Sequence, residues 1–149
     1  MTSEPVIDKD LADLRGSVLY IEDVELNYLL VEAILAPFAG LRLQRAATGL
    51  EGVRMVRDDH PDFVLLDMHL PDISGLEVVR QLSDVIAERQ LRVTILTGDR
   101  LTMDVIKAMS LGAYEYMLKP IDRYKLEAGV RRALTGKRPS PEGTLVAQP

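Results

Sequence analysis

Five polar residues stand where four short apolar runs end, and their types suit metal-assisted phosphoryl chemistry. Val18-Leu19-Tyr20-Ile21 leads into Glu22 and Asp23, and Phe63-Val64-Leu65-Leu66 into Asp67. Val93-Thr94-Ile95-Leu96 leads into Thr97, and Tyr116-Met117-Leu118 into Lys119. Mg²⁺ is a hard cation that takes oxygen ligands in octahedral geometry and keeps several waters. Glu22 and Asp23 can offer such oxygens directly or through water, Asp67 adds another, and a backbone carbonyl of the following loop can complete the protein's share. Without a cation, clustered carboxylates repel and at least one holds its proton more tightly. An ionised aspartate can attack phosphorus to give an acyl phosphate, while an amine and a hydroxyl meet the phosphoryl oxygens. Singly, an aspartate at a strand end is an ordinary turn or cap residue, and Lys119-Pro120 and Thr97-Gly98-Asp99 are ordinary loop sequences. Their joint occurrence at four strand ends is what points to a site.

The four runs, short and rich in β-branched or aromatic residues, read as strands buried on both faces. In an open parallel sheet, ligands bind beyond the carboxyl ends of the strands. Leu41 to Ala46 alternates apolar with polar residues and reads as an edge strand. Helical stripes alternate with the strands. They are Leu26, Leu29, Leu30, Ala33 and Ile34, ended by Pro37; Leu50, Val53 and Val56, closed by His60-Pro61; and Leu76, Val79, Leu82 and Ile86. Met103, Ile106, Ala108 and Met109 follow, with Gly112 as a cap, then Leu126, Val130, Ala133 and Leu134. Five β-α units with right-handed crossovers imply a doubly wound α/β protein with a five-stranded parallel sheet in the order 2-1-3-4-5.

At 149 residues the chain suits one domain with a real core. A formal net charge of -5 argues against a nucleic-acid surface. With no cysteine, disulfides and thiolate metal sites are excluded. Residues 1–15 lack the apolar core of a secretory signal, and no run approaches a membrane span. These features imply a cytoplasmic protein with no membrane contact. Residues 1–16 read as an extension with one helical turn around Leu11 and Leu14, residues 17–135 as the domain, and residues 136–149 as a flexible tail.

The chain resembles the receiver domain of two-component response regulators over about residues 17–135. The motifs that carry the likeness are Tyr-Ile-Glu-Asp at 20–23, Leu-Leu-Asp-Met-His-Leu-Pro-Asp-Ile-Ser-Gly at 65–75, Ile-Leu-Thr-Gly at 95–98 and Tyr-Met-Leu-Lys-Pro at 116–120. The resemblance implies the flavodoxin-like (βα)5 fold. It implies that Asp67 accepts a phosphoryl group from a phosphohistidine on a sensor histidine kinase or histidine phosphotransfer protein. Glu22, Asp23, Asp67 and the His69 backbone carbonyl would hold Mg²⁺ or Mn²⁺, and Thr97 and Lys119 would bind the phosphoryl oxygens. A shift of Thr97 would be coupled to Tyr116, changing a surface that binds a downstream protein target. His69 and Asp99, two residues after Asp67 and Thr97, lie where attacking water would approach and are expected to tune dephosphorylation. Such a domain is no turnover enzyme, although it catalyses its own phosphorylation and dephosphorylation. Homodimerisation stays open.

Other classes fit less well. An aspartyl-phosphate phosphatase would place a second aspartate where His69 stands, and its acidic pair would come later in the chain. A flavin module would need a hydroxyl- or glycine-rich loop where Glu22-Asp23-Val24-Glu25 would repel phosphate. No P-loop is present, since Gly129 and Gly136-Lys137 are wrongly spaced. A phosphorylation-independent adaptor on the same scaffold would not need the intact acidic and Thr-Lys set. His60 is not at ligand spacing from His69, so the His69 side chain is not expected to be a transition-metal ligand. Arg131, Arg132, Lys137 and Arg138 read as a basic helix end that offsets the dipole. With about a dozen residues beyond the last helix, a complete chain would signal by protein contact, and a fragment would continue into a linker.

Overall fold

The computed structural model describes residues 14–98 and 100–135. Strands and helices alternate as β1 (Arg15–Ile21), α1 (Glu25–Leu35), β2 (Gly40–Ala46), α2 (Gly49–Asp59) and β3 (Phe63–Asp67), followed by α3 (Gly75–Arg89), β4 (Arg92–Thr97), α4 (Met103–Ser110), β5 (Glu115–Leu118) and α5 (Arg123–Thr135). All neighbouring strands are parallel, in the order β2-β1-β3-β4-β5, as the alternation predicts. The flavodoxin-like expectation is met.

Side-chain parity along the strands divides the core in two. Leu19, Ile21, Val64, Leu66, Val93 and Ile95 face α2, α3 and α4, meeting Val56, Val79, Leu82 and Val105. Val18, Tyr20, Phe63, Leu65 and Leu96 face α1 and α5, meeting Val31, Leu35, Leu126 and Val130. β3 has neighbours on both sides and is buried throughout, whereas β2 at one edge alternates between partly buried and exposed residues.

Local chemistry fixes the helix ends. The Thr48, Ser74 and Thr102 hydroxyls accept from the N–H groups of Glu51, Glu77 and Val105 at 3.1, 3.1 and 3.2 Å, satisfying donors that have no partner inside the helix. α2 stops at His60, held left-handed at φ 53°, directly before Pro61, and Gly112 after α4 has φ 126°. Gly75 is required by crowding, because a Cβ there would lie 2.9 Å from the Asp67 carbonyl oxygen and 2.8 Å from the Met68 Cα. That close approach lets the loop after Asp67 fold back, with the Gly75 N–H donating to the Met68 carbonyl at 3.0 Å.

Several expected faces are different. In α1, Val31 and Leu35 are buried while Leu26, Leu29 and Leu30 are exposed. In α2, Leu50 is exposed and Met55 joins Val53 and Val56 in the core. In α4 the inward residues are Val105 and Ala108, with Met103 and Ile106 pointing out. These helices carry apolar residues on overlapping stripes, and the sheet selects one. β5 is not buried on both faces: it is an edge strand whose Tyr116 and Leu118 stay exposed. β1 opens at Arg15, before the run that begins at Val18, so Gly16 is strand and Leu14 is buried beside it. Leu11 and the rest of the turn expected there lie outside the described residues.

Candidate functional site

Register brings the acids together. Ile21 pairs with Leu66 across β1 and β3, so Glu22 and Asp67, each the next residue, emerge side by side. Glu22, Asp23 and Asp67 each place a carboxylate oxygen within 4.8 Å of the others. Glu22 is 0 % exposed and Asp67 4 %, while Asp23 is the most open of the three. Lys119 reaches across from the end of β5, its Nζ donating to Asp67 Oδ1 at 3.0 Å and to Glu22 Oε1 at 3.4 Å. The peptide bond between Lys119 and Pro120 is cis, and the Lys119 N–H donates to the Thr97 carbonyl at 2.8 Å.

The electrostatics follow from two buried anions around one cation. Burial pushes the Asp67 carboxyl above the usual carboxylate range, and Glu22 adds to that push; donation from Lys119 and from the His69 N–H opposes it. Burial works against the Lys119 charge, yet the hydrogen bond and attraction from Asp67, then Glu22, hold its pKa above the ordinary value. The cation gains from both acids, whereas each acid also faces the other.

The remaining expected residues take varied positions. Thr97 is buried at the end of β4. It lines a cavity of about 370 Å³ with Met68, His69, Ser74, Thr102, Met103 and Asp104, between the loops after β3 and β4. His69 stands exposed at that mouth. Thr97 pairs with Leu118 and Ile95 with Tyr116, so Tyr116 is the diagonal neighbour of Thr97 on one sheet face, 37 % exposed. Asp99 lies outside the described residues.

Three further residues build the site without having been expected to. Arg45 donates from Nε to the Glu22 carbonyl at 2.9 Å and from Nη2 to the Asp23 carbonyl at 2.7 Å, fixing the loop after β1. Asp72, in the loop after β3, accepts from the Gly49 and Leu50 N–H groups at 2.8 and 2.9 Å, tying that loop to the start of α2. Although desolvation opposes it, donation from Leu50 and Gly49 holds the Asp72 carboxyl below its ordinary value. Tyr20 donates to Glu22 Oε1 at 3.0 Å. Only Tyr20 left a sequence signal, because a tyrosine in a fully buried strand needs a partner for its hydroxyl.

The oxygen-only donor set of Glu22, Asp23 and Asp67 fits a hard divalent cation such as Mg²⁺ or Mn²⁺.

The family model described as "Response regulator receiver domain" matches residues 18–131. The chain belongs to the receiver-domain family. Receiver domains are the phosphoacceptor signalling domains of two-component response regulators. The polar-differentiation response regulator DivK of Brucella ovis is 35% identical over 108 residues, covering 72% of this chain and 87% of DivK. The transcriptional regulatory protein AfsQ1 of Streptomyces coelicolor is 34% identical over 135 residues, and this receiver chain spans 58% of AfsQ1's length. The receiver domain of the sensor histidine kinase PA1611 from Pseudomonas aeruginosa superposes with a TM-score of 0.72 at 27% identity, over 83% of this chain and 99% of that one. That crystal structure has a magnesium ion coordinated in its active-site cleft. Among the described residues of this receiver, no helix is long and apolar enough to cross a membrane.

Proposed function

We propose that the protein accepts a phosphoryl group from a phosphohistidine donor onto Asp67, in a reaction that needs Mg²⁺, and thereby switches a protein-binding surface. The observation that carries this reading is the buried Asp67 carboxylate, flanked by Glu22 and bonded by Lys119 at 3.0 Å. An Asp67 oxygen forms the bond to phosphorus as the phosphorus–nitrogen bond breaks, and the electron pair leaves with the imidazole. Lys119 follows the new charge and the Thr97 hydroxyl donates to a phosphoryl oxygen, so the chain supplies positioning and charge neutralisation. A bound Mg²⁺, held by Glu22, Asp23, Asp67 and the His69 carbonyl, would offset the negative charge of the transferring group.

The cavity shared by His69 and Thr97 gives the donor's imidazole a way in. The exposed leucines of α1, beside the loop that carries Asp23, give a donor helix an apolar face to rest on. Output is read from the other side. Movement of Thr97 would change the space open to Tyr116 and so the exposed surface of Leu101, Met103, Ile106 and Leu118, on which a target protein or a second copy would dock. The division into residues 1–16, 17–135 and 136–149 and the cytoplasmic setting belong to this same proposal.

The test is intact-protein mass after incubation with acetyl phosphate, with and without Mg²⁺, alongside Asp67→Asn. One added phosphoryl group that needs both the metal and Asp67 is expected. A protein that stays unmodified with acetyl phosphate and with a phosphohistidine donor would make the fold an adaptor's scaffold.

A further inference from the structure

Glu22 is fully buried, and its carboxylate accepts from three protein donors. Oε2 accepts from the Val24 N–H at 3.1 Å, and Oε1 accepts from the Tyr20 hydroxyl at 3.0 Å and from Lys119 at 3.4 Å. Two of these donors also serve other elements. Lys119 divides itself between Glu22 and Asp67 and holds Asp67 more closely. The Val24 N–H belongs to the turn that opens α1, at a helix start with no side-chain cap. Tyr20 is different: it is 0 % exposed, in the middle of β1. Its ring lies 6.4 Å from that of Tyr28, whose hydroxyl donates to the Leu43 carbonyl on β2 at 3.2 Å.

The strand period explains why the contact forms. Residues two apart share a sheet face, so the Tyr20 ring runs up the face from which Glu22 leaves and ends at its carboxylate. We propose that Tyr20 is a positioning residue for Glu22, setting the direction of the carboxylate towards the cation; the inference rests on the metal-binding reading of Glu22, Asp23 and Asp67. A glutamate has one more rotatable bond than an aspartate, and so more freedom to lose when it must point one way. Tyr20 removes that freedom from a rigid base in the core. The phenol is a donor by its chemistry, and its oxygen lies at hydrogen-bond distance from Glu22 Oε1, 3.0 Å. A tyrosine serving only as core filler would leave metal affinity indifferent to its hydroxyl.

The experiment is calorimetric titration of Mg²⁺ into four proteins: unmodified, Tyr20→Phe, Glu22→Asp and the double variant. Thermal melts in chelator establish that each is folded. Tyr20→Phe should weaken Mg²⁺ binding about tenfold, the lower end of the cost of removing a group that orients a metal ligand. In the Glu22→Asp background the same change should do nothing, because the shorter acid cannot reach the hydroxyl while keeping the Val24 N–H. Unaltered or tighter binding by Tyr20→Phe overturns the inference, and so does an equal loss in both backgrounds, which would mean the hydroxyl acts through packing. Absence of Mg²⁺ binding by the unmodified protein overturns the site reading itself, and this inference with it.

Discussion

Two carboxylates and one ammonium share a small volume at the ends of β1, β3 and β5, and beside them the His69 side chain stands exposed. That imidazole lines the cavity that Thr97 also lines, so its effect should fall on the approach of water to an acyl phosphate. Replacing both His69 and Asp99 with alanine should change the half-life of phosphorylated Asp67 severalfold while leaving the melting temperature within a few degrees. Loss of the adduct followed by mass spectrometry checks it; an unaltered half-life removes both residues from that role. At this scale the sequence displayed Glu22, Asp23, Asp67, Thr97 and Lys119 because each ends an apolar run. It hid Arg45 and Asp72, because their partners are backbone groups of other loops. A side chain that bonds a carbonyl or an N–H leaves no complementary residue type to search for.

Helix α1 shows what periodicity can and cannot decide. Its sequence is apolar on two overlapping stripes, and only contact with Tyr20, Phe63 and Leu65 selects Val31 and Leu35 as the inner one. The outer leucines follow from that choice. Leu35→Ala should cost about 3 kcal/mol in urea unfolding, as for other buried leucines. Leu29→Ser with Leu30→Ser should stay within about 0.5 kcal/mol per site, yet slow transfer from a phosphohistidine protein at least fivefold, with acetyl phosphate labelling unaffected. Equal slowing with both donors would show that the outer face is not a docking surface. In β4, the buried Thr94 hydroxyl has no hydrogen-bond partner among the described residues. Thr94→Val keeps the shape and removes the unpaired group, so stability should rise by about 1 kcal/mol; a lower urea midpoint would contradict this. Strands with neighbours on both sides were legible as predominantly apolar, β-branched runs. β5 was not legible as an edge, because strand order is a property of the whole sheet rather than of the run.

For the molecule as a whole, stability and site are linked through Asp67. Its pKa in the folded protein lies above the ordinary value, chiefly through burial. Such a group contributes stability that is fully present below the ordinary carboxylate pKa and is lost as pH rises through the raised value. At neutral pH without metal, the folded protein therefore bears an unfavourable charge there. Asp67→Asn should melt a few degrees higher than the unmodified protein at pH 7.5 in chelator. The gap should shrink as pH falls through the acid range, and close when Mg²⁺ is added. Calorimetry across pH decides it, and a lower melting point for Asp67→Asn at pH 7.5 would count against the sign.

Asp72 gives the loop after β3 a reporter at a distance. Its carboxylate holds the Gly49 and Leu50 amides, which begin a helix reached through β2 rather than β3. Any rearrangement of residues 68–74 on phosphorylation must keep those two bonds or release them. If they are released, amide exchange with deuterated solvent would report the state of Asp67 in a peptide from the first turn of α2 that contains no residue of the acidic site.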